Sequence, residues 1–211
     1  MTKQDWETVV GGIRETAKRM HEAREVGLSA CRTLTQTSSR SIRHVHRHQW
    51  KEAEALLAEA REVAKRAREA LAPYPDILHA GFLHDAEKEM VEAAAVMAIV
   101  KDRPNPSPED LDAMPMSYLN GMGEAASECR RFALDEMRHG RLDEAERILG
   151  RMEAIYDELI TFDYSDAMTG GLRRTCDALR AVIERTRSDL TAAVGQNELV
   201  RELRATRERL T

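Results

Sequence analysis

Two pairs of glutamates, each about one helical turn apart, are the residues of this chain best placed to do chemistry. In Tyr118–Arg131, YLNGMGEAASECRR, Glu124 and Glu128 are four residues apart; in KEMVEA, Glu89 and Glu92 are three apart, with Asp85 one turn earlier. On a helix these spacings stack carboxylates on one face, where like charges cost about 0.2–0.5 kcal/mol per i, i+4 pair. A divalent cation, a basic residue from another helix or bulk water could each relieve that repulsion. If the two helices pack together, Glu89, Glu92, Glu124 and Glu128 converge on an all-oxygen site, which prefers Mg2+ or Mn2+ to zinc. In phosphodiester hydrolysis such a metal orients and deprotonates water and stabilises charge on the phosphate. The competing reading is solvated acids paired with Arg or Lys, the commoner state in a chain with 37 acidic residues. Spacing alone leaves both open.

Other candidates carry less. Glu136 and His139 form one Glu-x-x-His, the unit that di-iron bundles need twice, and no second copy falls on a suitable helix; a surface ion pair or helix-end contact is the expectation. His44 and His48 are four apart, but their spacing implies no third zinc ligand. They belong instead to a basic run, Arg32, Arg40, Arg43, His44, His46, Arg47 and His48, with no acid between Glu25 and Glu52. In a chain of net charge −5, a local patch of this kind is where nucleic acid would bind, through phosphates and without reading sequence. No nucleophile-elbow pattern and no Gly-rich phosphate loop is present.

The elements that must hold these residues read as helices throughout. In Tyr118–Arg131, continued to Met137, the residues Met122, Ala125, Ala126, Cys129, Phe132, Ala133 and Met137 form one apolar stripe, which is core, beside the stripe carrying the acids. A helix closing near Gly140 is predicted. Before it come a helix from Gln4 to about Thr37, continuing through Ile42 and Val45, and an amphipathic helix Trp50–Leu71 stopped by Pro73 and Pro75. A third helix is predicted from Asp76 to about Lys101, apolar through Ala93–Val100, and then a Pro-rich loop at 102–115. After Gly140 follow Leu142–Ile160, a connector, Leu172–Val194, and, beyond a separator at Gly195-Gln196-Asn197, a polar helix of roughly twelve residues. No segment alternates with period two. The expected fold is all-α, a single domain over 1–211 of about seven helices in a bundle.

Composition agrees: 4% aromatic and 33% charged residues suit long helices. Three widely spaced cysteines, Cys31, Cys129 and Cys176, do not read as a disulfide framework and point to a reducing cytoplasm. No apolar run reaches the ~18–20 residues of a membrane span, and no signal-peptide core follows Met1.

Four segments together resemble the translin/Trax family. YLNGMGEAASECRR is similar to its Tyr-Leu-x-Gly-Val-x-Asp/Glu-x-x-x-Glu-Leu-x-Arg segment, AIYDELITF to Val-Tyr-Asp-Gly-Phe, GGLRRTCDALRAVIERTRSDL to Leu-Arg-x-x-x-Asp-x-Leu-Lys, and KEMVEA to the Trax segment Gln-Glu-Tyr-Val-Glu-Ala. The resemblance covers most of the chain. It implies a translin-like bundle, hollow octamers, binding of single-stranded RNA and possibly single-stranded DNA, and, for Trax-type subunits, endoribonuclease activity. Carried over by position, the catalytic acids fall on Glu89, Glu92 and Glu124, with Glu128 as a further ligand of Mg2+ or Mn2+. Glu124 departs from the Asp of the Trax pattern, one methylene longer. If one chain supplies both binding and cutting, it would assemble as a homo-oligomer. The alternative within the same resemblance is a passive single-stranded nucleic-acid-binding protein without catalysis.

Overall fold

The helical period that carries the core residues of the first segment through Ile42 and Val45 is realised as one helix, α1 (Lys3–His46). Its buried residues begin at Gly27, and almost all of the preceding turns stand in solvent. A turn through His48, in the left-handed region at φ 57, reverses the chain into α2 (Trp50–Leu71), and the two helices run antiparallel. Ser41 Oγ donates to the Ala53 carbonyl at 2.9 Å near the turn, while Leu71 closes against Gly27 at the far end. This computed structural model describes residues 3–210; residues 1, 2 and 211 of the expected domain lie outside the described residues.

The helix expected over Asp76–Lys101 is two helices: a single turn, α3 (Pro75–Leu78), and then α4 (Phe82–Val100). The division falls at Gly81, whose φ of +97 no continuous helix accommodates. Every residue from Ala93 to Val100 is buried, as the unbroken apolar run requires, and α4 packs against α1, α2 and α6. The Pro-rich segment that follows holds one further turn, α5 (Pro108–Leu111), started by a capping box between Ser107 and Asp110.

Fully buried Glu87 anchors this segment. One of its oxygens accepts from Arg68 Nε at 2.6 Å and the other from the Met114 amide at 3.1 Å. Tyr118 donates its hydroxyl to the Pro106 carbonyl at 3.0 Å, and Arg147 donates to the Ile99 carbonyl at 3.0 Å. A loop that would otherwise be slack is thereby fixed at both ends, and with it the start of α6 (Pro115–Arg138).

The apolar stripe expected of α6 is buried from Met122 to Ala133, with Met137 half-covered at its end, and Gly140 follows at φ +75. Next come α7 (Leu142–Leu159), the single turn α8 (Asp166–Thr169) and α9 (Leu172–Leu210). The separator expected at Gly195-Gln196-Asn197 is absent, and α9 runs straight through it. One glycine costs a helix interior only about 1 kcal/mol, and no proline or positive φ stops the helix at Gly195. The described residues contain nine helices, three of them single turns, and no strand; the fold is all-α and the chain one domain.

α6 packs against α4, α7 and α9, and it approaches α4 and α9 closely at glycines. A Cβ at Gly121 would stand 2.6 Å from the Lys88 carbonyl oxygen and 2.6 Å from Val91 Cβ on α4. One at Gly123 would meet Thr175 Cγ2 of α9, also at 2.6 Å. The Lys88 carbonyl belongs to the backbone and cannot swing aside. Gly121→Ala therefore has to separate α4 from α6, with an expected loss of about 1–3 kcal/mol. Gly150→Ala, on α7 where no atom lies within 4 Å of the added Cβ, is the control and gains about 0.5–1 kcal/mol. Thermal melting of both variants checks the contrast, and equal shifts would contradict it.

Candidate metal centre

The Gly121 crossing sets the face of α4 that bears Lys88, Glu89 and Glu92 against the face of α6 that bears Glu124 and Glu128. One carboxylate oxygen from each of Glu89, Glu92 and Glu124 lies within 4.8 Å of the other two, all three side chains being half-buried. Mg2+ holds its oxygen ligands at 2.0–2.1 Å, so ligand atoms around it stand roughly 3–4 Å apart. Small side-chain adjustments bring the three acids to that spacing. Neither Glu89 nor Glu92 makes a hydrogen bond or an ion pair among the described residues. The donor set is all oxygen and fits a hard divalent cation.

Each acid on α6 is held from outside the cluster. Lys88 Nζ donates to Glu124 Oε1 at 2.8 Å. His46, in the last turn of α1, sits 2.6 Å from Glu128 Oε1 through Nε2, with its side chain 3% exposed and its Nδ1 buried without a partner. Glu128 thus stands at the edge of the three-acid group rather than inside it. Asp85, exposed on the same face of α4, adds charge but no ligand atom.

Crowding of like charges in partial burial shifts the acids. Burial, reinforced by Glu89, Glu124 and Glu128 against the opposing pull of Lys88, pushes Glu92 up to about 8. Burial and then Glu124 raise Glu89 as well. Burial works against the Lys88 ammonium, but its hydrogen bond to Glu124 and the charges of Glu124, Asp85 and Glu89 prevail and hold it above its ordinary value. Cys129, on the core side of α6, is no thiolate ligand: burial, then Glu128 and Glu92, drive its thiol far up.

The basic residues expected to meet nucleic acid are spread along the end of α1. Arg32, Arg40 and Arg43 are exposed, form no ion pair among the described residues, and at helical spacing fall within about 80° of one another. Arg47, exposed, begins the turn after α1, His44 bonds Gln49 at 2.7 Å, and His48 packs edge-on to Trp50. His44 and His48 are therefore not a zinc-binding pair on one helix face. The Glu136-x-x-His139 unit splits too: Glu136 is held by Arg141, while His139 Nδ1 contacts the Asp135 carbonyl at the end of α6.

Lys88 and Gly121 carry no functional signal in the sequence, and His46, expected only as part of the basic run, instead meets Glu128. Two helical glycines in one NGMG run are the signal of close backbone approach. Nothing in the spacing of Lys88 or His46 says which acid each one meets.

At pH values between about 4.5, where an unfolded chain ionises Glu92, and about 8, where the folded metal-free protein does, the folded state binds the extra proton. The contribution of this group to stability therefore falls as pH rises through that window and is level above it. Glu92→Gln cannot ionise. In EDTA its melting temperature is expected to fall less than that of the wild type between about pH 5 and pH 8.5, and parallel pH profiles would contradict the shift.

No family model matches the chain. An uncharacterized protein of Methanocaldococcus jannaschii, MJ0175, is 33% identical over 181 residues, 85% of this chain and 79% of its own length. Among solved structures, that of an AfC3PO–duplex RNA complex is similar at a TM-score of 0.83 and 34% identity, over 89% of this chain and 97% of that one. A crystal structure of AfC3PO gives 0.82 at the same identity and coverage. Apo-NeC3PO, at 23% identity and a TM-score of 0.78 over 87% of this chain and 96% of its own, shares the fold.

Proposed function

The chain belongs to the translin/Trax family, the family of the C3PO proteins, and from that membership and its carboxylate cluster we propose that it binds RNA and hydrolyses it as a Mg2+-dependent endoribonuclease. The observation that carries the catalytic half is the convergence of Glu89, Glu92 and Glu124, of which Glu89 and Glu92 form no side-chain hydrogen bond or ion pair among the described residues. A bound Mg2+ or Mn2+ supplies an activated water and neutralises charge on the phosphodiester. The chain's own residues do the rest. Glu89 and Glu92 offer oxygens from a rigid, buried helix, Glu124 offers a third from across the Gly121 crossing, and Glu128, fastened by His46, supports the edge of the site.

RNA is the ligand class supported by the AfC3PO complex, whose RNA is a duplex. The proposed substrate here is single-stranded RNA, with single-stranded DNA as a second ligand and duplex RNA as the comparison. The proposed surface is Arg32, Arg40, Arg43, His44, Arg47 and His48. His46 of the same helix touches Glu128, so the basic stretch ends at the acid cluster. Self-association of this one chain, as an octamer, is part of the proposal. It is supported by apolar side chains that the chain's own fold leaves uncovered: Trp6, Val9 and Ile13 on α1 and Leu199, Val200 and Leu203 on α9.

With labelled single-stranded RNA and Mg2+, Glu89→Ala and Glu124→Ala are expected to cut at least about 100-fold more slowly than the wild type, since loss even of an outer-shell partner commonly costs 10–100-fold. EDTA should abolish cutting. Undiminished cleavage by either variant or in EDTA removes the metal mechanism, and RNA binding with no cleavage favours the passive binding protein.

For binding, Arg40→Ala combined with Arg43→Ala should lower the slope of log affinity against log salt by about 1.4 on single strands, two contacts at about 0.7 each. An unchanged slope in filter-binding titrations would place the phosphate contacts elsewhere.

A further inference from the structure

Lys88 is ion-paired to Glu124, one member of the three-acid group, and is covalently next to Glu89, another. Its Nζ lies 2.8 Å from Glu124 Oε1, and with its side chain 23% exposed it is covered along its stem yet open to solvent on one side. Asp85 and Glu89 lie near it on its own helix, and Glu124 faces it from α6. His46, the other base at the cluster, contacts Glu128 instead. The ammonium thus partly neutralises the carboxylate group in the metal-free protein. A divalent cation ligated by Glu124 would share that carboxylate with a positive charge, and the two repel.

We propose that Lys88 has two positions. With the carboxylates free of metal it holds Glu124, as here. With Glu124 serving as a ligand, its flexible four-carbon stem carries the ammonium outward to a non-bridging oxygen of the RNA phosphodiester, where it donates hydrogen bonds and offsets charge that grows as the phosphate is attacked. Lys88 transfers no proton and forms no bond in this role. Its three donors on a rotatable stem suit an ammonium that exchanges one oxyanion for another. Because it opposes the metal in one position and assists the reaction in the other, metal binding and substrate contact are linked through one side chain. This rests on the metal-site reading above.

The test pairs a binding measurement with a rate. Mn2+ is titrated calorimetrically, without RNA, into wild type, Lys88→Met, Lys88→Arg and Glu89→Gln. RNA cleavage is then measured at saturating Mn2+. Lys88→Met is expected to bind Mn2+ about tenfold more tightly, yet to cut about 10–100-fold more slowly through kcat and not KM. Lys88→Arg, which keeps the charge, should bind Mn2+ like the wild type and recover part of the rate. A damaged fold would weaken metal binding, so tighter binding separates this role from a structural one. Unchanged or weaker Mn2+ binding by Lys88→Met overturns the proposal, as does a cleavage rate within about twofold of the wild type. Equal Mn2+ binding by wild type and Glu89→Gln overturns the metal-site reading itself, and this proposal with it.

Discussion

Contact between α4 and α6 at Gly121 is the constraint on which the rest of the site depends. Helices usually keep 8–10 Å between axes because side chains fill the space between them. Here a Cβ on α6 would stand 2.6 Å from a backbone oxygen of α4, so the two backbones meet with nothing between them. One carboxylate oxygen from each of Glu89, Glu92 and Glu124 then lies within 4.8 Å of the other two. Gly123, two residues on and facing the opposite way, lets α9 approach α6 from the other side. The buried bracket of Glu87, Arg68 and the Met114 amide fixes where α6 begins, and so which of its turns arrives at the crossing.

The resulting geometry costs electrostatic energy, and the fold meets that cost with three devices: Lys88 on Glu124, His46 on Glu128, and a proton retained by Glu92 up to about pH 8. None of the three removes the carboxylate oxygens from reach of a ligand.

Much of this was legible in the sequence because it was periodic. The α6 stripe from Met122 to Ala133 is buried as its spacing requires, and Trp50–Leu71 is a helix between the predicted residues. The spacing of Glu89 with Glu92 and of Glu124 with Glu128 placed each pair on one face. What the spacing could not supply was contact between the faces, since that depends on a crossing between segments about thirty residues apart in the chain. The same limit hid the partners of Glu124 and Glu128, of which His46 comes from 82 positions away. Local punctuation failed in both directions. Gly81 divides a helix because its backbone adopts positive φ, while Gly195 divides nothing, because its backbone stays helical.

α6 is packed against α4 on one side and α9 on the other, with a close approach at a glycine on each side. Whatever rearrangement accompanies occupation of the acid cluster therefore falls to side-chain torsions of the glutamates and of Lys88. A crossing made at backbone level thus leaves the spacing of these carboxylates to be adjusted by side-chain torsion and not by movement of the helices that carry them.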